Sequence, residues 1–99
     1  MYQLIINPLA EEDAKNAANW YNEKQEGLGN EFLLSLDALF NAIQRNPNQY
    51  ETIYRELKRA FTSRFPYAVF FIVEGNIISV LAILHTSRSP KIWKGRKKA

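Results

Sequence analysis

Two continuous apolar runs in the second half of the chain constrain the fold most strongly. The runs YAVFFIV, residues 67–73, and IISVLAIL, residues 77–84, are separated only by Glu74, Gly75 and Asn76. A Gly-Asn pair between two apolar runs favours a tight hairpin turn, and an uninterrupted apolar run indicates a strand covered on both faces. These strands are therefore predicted to be the central strands of a sheet. With 99 residues, the chain has room for one domain, residues 1–99.

The first half of the chain predicts a short strand and two helices. The strand YQLII ends at Asn7 and Pro8, which suit the cap and the first position of a helix. A second helix is predicted after EGLGN, with Asn30 as its cap, and it ends before Pro47. Its apolar residues recur at helical spacing: Phe32, Leu33, Leu36, Leu39, Phe40 and Ile43. So short a connection predicts an antiparallel helical hairpin that packs on the sheet.

The region between the helices and the central hairpin predicts one further strand. In YRELKRAFT, residues 54–62, apolar and charged positions alternate, which places Arg59 and Lys58 on opposite sides of a half-exposed strand. The expected order is β-α-α-β-β-β, followed by a short basic C-terminal segment. The predicted class is α+β, with an N-terminal strand and an antiparallel helical hairpin packed on a small antiparallel-rich sheet.

The charges are divided unevenly along the chain. Residues 1–50 hold three Lys or Arg and seven Asp or Glu, whereas residues 51–99 hold ten and three. Six basic residues and no acidic residue follow His85. This asymmetry predicts a surface that meets an anionic partner, such as nucleic acid or an acidic protein segment. The plain alternative is a solvated basic tail that aids solubility.

The composition also excludes several kinds of site. The chain has no cysteine and a single histidine, so a thiolate site and a His-based metal site are not expected, and no cofactor motif is present. The N-terminal sequence lacks a basic leader, and the longest apolar run is too short to cross a bilayer. We therefore expect a cytoplasmic protein that does not contact a membrane.

Several stretches resemble the RelE/ParE superfamily, the small toxins of type II toxin–antitoxin, or plasmid stabilisation, modules. The similar stretches are ANWYNEKQEGLGNEF (18–32), Pro47 with Tyr50, RFPYAVFFIV (64–73) and ILHTSRSPKIWKGR (83–96). The last of these looks more like ParE than like the ribosome-dependent RelE nucleases. The resemblance extends over nearly the whole chain, and the β-α-α-β-β-β order of the superfamily agrees with the order predicted from the residues.

The resemblance implies a ParE-like toxin that binds and poisons DNA gyrase without cleaving a bond itself. A cognate antitoxin encoded by the adjacent gene is expected to neutralise it, through an acidic, amphipathic segment that folds as it binds. A RelE-like mRNA endonuclease acting on the ribosome is the first alternative. A non-toxic RNA-binding or protein-binding relative is the second.

The candidate site residues follow from these alternatives. A nuclease would use His85 with Arg64 and Arg88, although the chain lacks the late tyrosine that many RelE-type nucleases carry. Target or nucleic-acid binding is assigned to six residues: Arg59, Arg64, Arg88, Lys91, Trp93 and Arg96. We expect the arginines to form one electropositive face beside His85 at the rim of the sheet. The structural alternatives are a histidine that only hydrogen-bonds its strand end and a tryptophan that only anchors the tail.

Overall fold

The computed structural model describes residues 1–87. These residues form two helices, a short 3-10 helix and five strands. The elements are β1 (Gln3–Ile6), α1 (Pro8–Lys24), α2 (Leu28–Arg45), the 3-10 helix Pro47–Gln49, β2 (Glu51–Tyr54), β3 (Leu57–Phe61), β4 (Tyr67–Glu74) and β5 (Ile77–His85). Within residues 1–87, no helix combines the length and apolar character needed to cross a membrane.

The five strands form one mixed sheet in the order β1-β5-β4-β3-β2. The β1–β5 pair is parallel, and the other three pairs are antiparallel. The α+β class and the antiparallel-rich sheet are therefore confirmed, as is the central position of the hairpin formed by β4 and β5. The predicted basic C-terminal segment lies outside the described residues, apart from its first positions.

The strand predicted at residues 54–62 is present as β3, but the first positions of that range belong to a turn and to a further strand, β2, that was not predicted. The chain turns between β2 and β3 at Arg55 and Glu56, and the Arg55 backbone is left-handed, with φ of 50°. Pairing is also irregular between Thr52 and Tyr54. Neither turn residue is one of the types that usually mark a tight turn, so the sequence pattern carried no signal for it.

The helix caps were predicted in part. The Asn7 side chain accepts a hydrogen bond from the Leu9 N–H at 2.8 Å, which confirms it as the cap of α1. Helix α2 begins earlier than predicted, after Gly27. Asn30 lies inside its first turn and is not the cap. Instead, the Gly29 N–H donates to Asn22 Oδ1 of α1 at 2.8 Å, so the neighbouring helix satisfies an amide that the local sequence leaves free.

Both faces of the sheet are buried, as the continuous apolar runs predicted. The helices cover one face, which we call the helical face. The buried aromatic residues there include Phe32 of α2, Tyr21 of α1 and Phe65. Burial, followed by repulsion from Tyr67, raises the pKa of the Tyr21 phenol above its ordinary value. The opposite face, which we call the far face, carries a second buried cluster of Leu57, Ala68, Phe70, Ile72, Leu81, Ala82 and Leu84.

Candidate functional site

Arg64 lies in the loop between β3 and β4, on the helical side of the sheet. Its guanidinium pairs with the Glu31 carboxylate of α2 at 2.8 Å and lies 5.4 Å from the ring of Phe65. The backbone of Arg64 is left-handed, with φ of 74°. A positive φ is unusual for a residue with a Cβ atom, so the loop holds Arg64 in a backbone conformation that few residue types adopt.

Arg59 lies on β3 and projects from the far face. Its Cα pairs with that of Phe70, which belongs to the far-face cluster, and paired residues share a face. The guanidinium bonds Glu51 of β2 at 2.7 Å and lies 5.0 Å from the Phe61 ring. The Arg59 Nε is buried and has no hydrogen-bond partner among the described residues.

The structure therefore does not bring Arg59 and Arg64 together. The two side chains lie on different sides of the sheet, and each pairs with its own carboxylate. The other proposed binding residues, Arg88, Lys91, Trp93 and Arg96, lie outside the described residues. Residues 1–87 hold seven Lys or Arg and ten Asp or Glu, whereas residues 88–99 hold six and none. The excess of positive charge thus comes entirely from residues 88–99.

His85 ends β5 and is half-buried. Its ring contacts the Tyr67 ring edge to face, with centroids 5.4 Å apart. The Ser87 backbone N–H donates to His85 Nδ1 at 3.1 Å, and Ser87 Oγ lies 2.8 Å from the same nitrogen. Because a backbone N–H can only donate, Nδ1 is the acceptor and the proton of a neutral ring is on Nε2. The nitrogen that would act as a base is therefore already occupied.

The described residues were also compared with the requirements of a metal site. Within residues 1–87, no group of three or more histidine, cysteine or carboxylate side chains is placed to hold a metal ion. The expectation that the chain builds no His-based metal site remains a prediction.

The outer surface of α2 exposes two leucines, only one of which the sequence analysis named. Leu34 is 68% exposed and Leu33 is 39% exposed, although Leu33 was predicted to belong to the buried stripe. We call Leu33, Leu34, Asp37 and Ala38 the α2 ridge. The sequence did contain a signal that Leu34 is exposed. Leu34 lies outside the apolar stripe that begins at Phe32, so helical spacing predicts that it points away from the core.

Two open grooves run along the α2 ridge. The edge groove, of about 440 Å³, separates α2 from the end of β3 and is lined by Glu31, Leu34, Ser35, Ala38, Leu39, Phe61, Ser63 and Arg64. The hairpin groove, of about 270 Å³, lies between α1 and α2 and is lined by Ile6, Glu11, Ala14, Lys15, Leu33, Leu36, Asp37, Phe40 and Ile83. Both grooves are mainly apolar, with charged side chains at their rims.

Comparison with known proteins agrees with this architecture. A chain in the solved structure of the chromosomal ParDE TA system from P. aeruginosa superimposes with a TM-score of 0.77. The two are 18% identical, and the match covers 86% of this chain and 96% of that chain, which shows a shared fold. No protein with a curated function is detectably similar in sequence.

Comparison of the sequence with models of protein families identifies the family. The profile of the ParE toxin of type II toxin–antitoxin systems, parDE, matches residues 4–90. The chain therefore belongs to the ParE toxin family, and the resemblance inferred from its motifs is confirmed.

Proposed function

We propose that this toxin acts by binding to DNA gyrase and that it does not cleave RNA. The observation that carries the proposal is the arrangement around His85. Its Nδ1 already accepts from the Ser87 N–H. A second member of the candidate nuclease set, Arg64, is paired with Glu31.

Cleavage of RNA through the ribose 2′-hydroxyl needs a free base, an acid for the leaving group and unpaired cations for the developing charge. Neither described member of the candidate set is free in this way. A binding toxin needs only a complementary surface, and six basic residues between positions 88 and 99 supply charge for one. This is why gyrase is favoured over the ribosome as the target.

We propose further that a cognate antitoxin, encoded beside the toxin gene, neutralises the protein. Membership of a family defined by toxin–antitoxin pairs supports this partner. The protein is expected to act in the cytoplasm, where gyrase and its DNA are found.

Two assays test the choice of target. Purified toxin added to gyrase and relaxed plasmid is expected to block supercoiling. The same toxin added to ribosomes that are translating a defined mRNA is expected to leave that mRNA intact. Cuts at codon positions that require the ribosome, together with unimpaired gyrase, would reverse the assignment in favour of an mRNA endonuclease. A protein inactive in both assays would favour a non-toxic relative that only binds.

Replacing His85 with alanine is expected to change gyrase inhibition by less than about threefold, because a toxin that acts by binding needs no acid–base group. A nuclease would lose a factor of about 10² or more. Inhibition is measured as the toxin concentration that halves supercoiling. Ser87→Ala is the matched control, because it removes the hydroxyl beside Nδ1 and retains the imidazole. Thermal unfolding of both variants identifies any loss that comes from the fold.

Replacing Arg88, Lys91 and Arg96 together with glutamine is expected to weaken gyrase inhibition about tenfold, because charges at an interface steer and hold an oppositely charged partner. Raising the salt concentration should weaken the wild type more steeply than the triple variant. The control is the replacement of Lys15, Lys24 and Arg45 by glutamine, which removes the same charge from the helices. Equal losses in the two triple variants would show that net charge matters and that residues 88–96 have no particular role.

A further inference from the structure

Strand β5 extends beyond the end of its neighbour β1. The pairing of the two strands ends with Ile6 opposite Val80, and the Asn7 N–H donates to the Val80 carbonyl oxygen at 2.9 Å. β5 continues from there to His85. Within residues 1–87, no strand pairs with this second half of β5 on the side of β1, so the backbone amides that point to that side need other partners.

A bulge changes the direction of the side chains in the second half of β5. The register between β4 and β5 shifts between Phe70 and Phe71, which leaves Leu81 as an extra residue on β5. Leu81 and the following Ala82 both belong to the far-face cluster. The alternation after the bulge is therefore shifted by one position, and Ile83 lies on the helical face.

Asp13 of α1 supplies the hydrogen-bond acceptor that β1 is too short to provide. Its carboxylate Oδ2 accepts from the Ile83 backbone N–H at 3.0 Å. Ile83 is buried and Asp13 is half-buried, so water does not replace this bond easily. A carboxylate is also a stronger acceptor than a backbone carbonyl oxygen. One side chain of α1 therefore takes the place of a neighbouring strand at this point of β5.

The bond to Asp13 lies close to the point where the basic residues begin. β5 ends two residues after Ile83. On the side of β4, the Thr86 N–H donates to the Pro66 carbonyl oxygen at 2.8 Å. On the side of α1, the end of the strand is held by Asp13. Six Lys or Arg follow within residues 88–99, so these contacts determine where that positive charge starts.

We propose that Asp13 is a positioning residue for the binding of gyrase. By holding the Ile83 N–H, it fixes the end of β5, and with it the position from which residues 88–99 present their positive charge. The inference rests on the proposed binding to gyrase, and it adds a residue from the acidic half of the chain. A strand end without this bond would have to be ordered when the partner binds, which lowers the affinity. The plain alternative is that Asp13 only stabilises the fold.

Gyrase inhibition by three variants tests the proposal. Asp13→Ala removes the acceptor and is expected to raise the toxin concentration that halves supercoiling by about fivefold. Asp13→Asn retains an oxygen that can accept from the Ile83 N–H and is expected to stay within about twofold of the wild type. Glu12→Ala is the matched control, because it removes a carboxylate from the adjacent, exposed position of α1 and should also stay within about twofold. Equal losses in Asp13→Asn and Asp13→Ala would overturn the proposal, because charge and not the hydrogen bond would then matter.

A combination of substitutions separates positioning from a loss of stability. In the toxin with Arg88, Lys91 and Arg96 replaced by glutamine, Asp13→Ala is expected to cause only about a twofold further loss of inhibition, because half of the charge that it positions is absent. A merely structural residue would weaken both toxins by the same factor. A further loss of about fivefold in the triple variant would therefore contradict a positioning role.

Amide hydrogen exchange measures the contact in the absence of gyrase. The Ile83 and Thr86 amides are expected to exchange about tenfold faster in Asp13→Ala than in Asp13→Asn, because the end of β5 opens locally. Amides of β3 should keep their wild-type rates in both variants. Unchanged exchange at Ile83 in Asp13→Ala would overturn the proposal even if gyrase inhibition is confirmed. A wild-type toxin that leaves gyrase active would overturn the proposed target and the positioning role together, whatever the exchange rates are.

Discussion

Replacing Phe32 with alanine is expected to lower the free energy of unfolding by about 3–5 kcal/mol, the usual cost of deleting a buried phenylalanine ring. Phe32 is 0% exposed. Its ring centroid lies 4.9 Å from that of Tyr67, 5.3 Å from that of Phe65 and 5.5 Å from that of Tyr21. The Phe32 ring therefore contacts aromatic residues of α1, of the loop before β4 and of β4 itself, so its removal leaves a cavity where these elements meet.

Urea denaturation followed by circular dichroism measures this loss. Trp20→Ala is the matched control, because Trp20 is a large aromatic residue on α1 that is 52% exposed. The control is expected to cost clearly less than Phe32→Ala, because about half of the Trp20 surface stays in contact with water in the folded protein. Similar losses in the two variants would contradict the role of Phe32 as the centre of the helical-face core. Domains of this size are stable by about 5–15 kcal/mol, so Phe32→Ala removes a large share of the total.

Replacing Gly29 with alanine is the second large effect, and its sign is opposite to the general rule for helices. Alanine in a helix is normally favoured over glycine by about 1 kcal/mol. At Gly29 an added Cβ would collide with the Ala18 backbone carbonyl oxygen and would lie 2.7 Å from the Asn22 side chain. We expect a destabilisation of about 1–3 kcal/mol, because a backbone atom cannot yield as a flexible side chain can.

Thermal unfolding is a suitable measurement for Gly29→Ala, with an expected fall in the midpoint of about 4–8 °C for each kcal/mol. Asn30→Ala, at the next and exposed position of α2, is the control and should not lower the midpoint. A rise in the midpoint for Gly29→Ala would show that α1 and α2 separate easily at this contact.

Much of the architecture was predictable, because it depends on local patterns. The apolar runs around Gly75 identified β4 and β5 without reference to any other part of the chain. Asn7 with Pro8 marked the beginning of α1 for the same reason. The turn at Arg55 was not predictable, because its positive φ is imposed on a residue type that does not favour it. The cap of α2 was missed because its partner, Asn22, comes from another helix.

The candidate site was less predictable than the fold, because it depends on which side of the sheet each residue occupies. Arg59 and Arg64 are five positions apart in the sequence, yet one projects from the far face and the other contacts α2. Only the last two residues of β3 and part of the following loop lie between them, and the loop breaks the alternation, so alternation alone could not relate their directions. Leu34 was overlooked for a different reason: it falls outside the apolar stripe of α2, and the sequence analysis followed only the residues of that stripe.

The parallel pairing of β1 with β5 has a consequence for the synthesis of the protein. β1 is the first of the described strands to be synthesised, and within residues 1–87 its neighbour in the sheet is the last of them, β5. β5 also pairs with β4 on its other side. A nascent chain that stops before Ile77 therefore contains β1 and the strands β2 to β4, but not the strand that joins them. Contacts this distant along the chain form late. The five-stranded sheet is therefore complete only after β5 has been synthesised, so the helices and the first strands wait for their last partner.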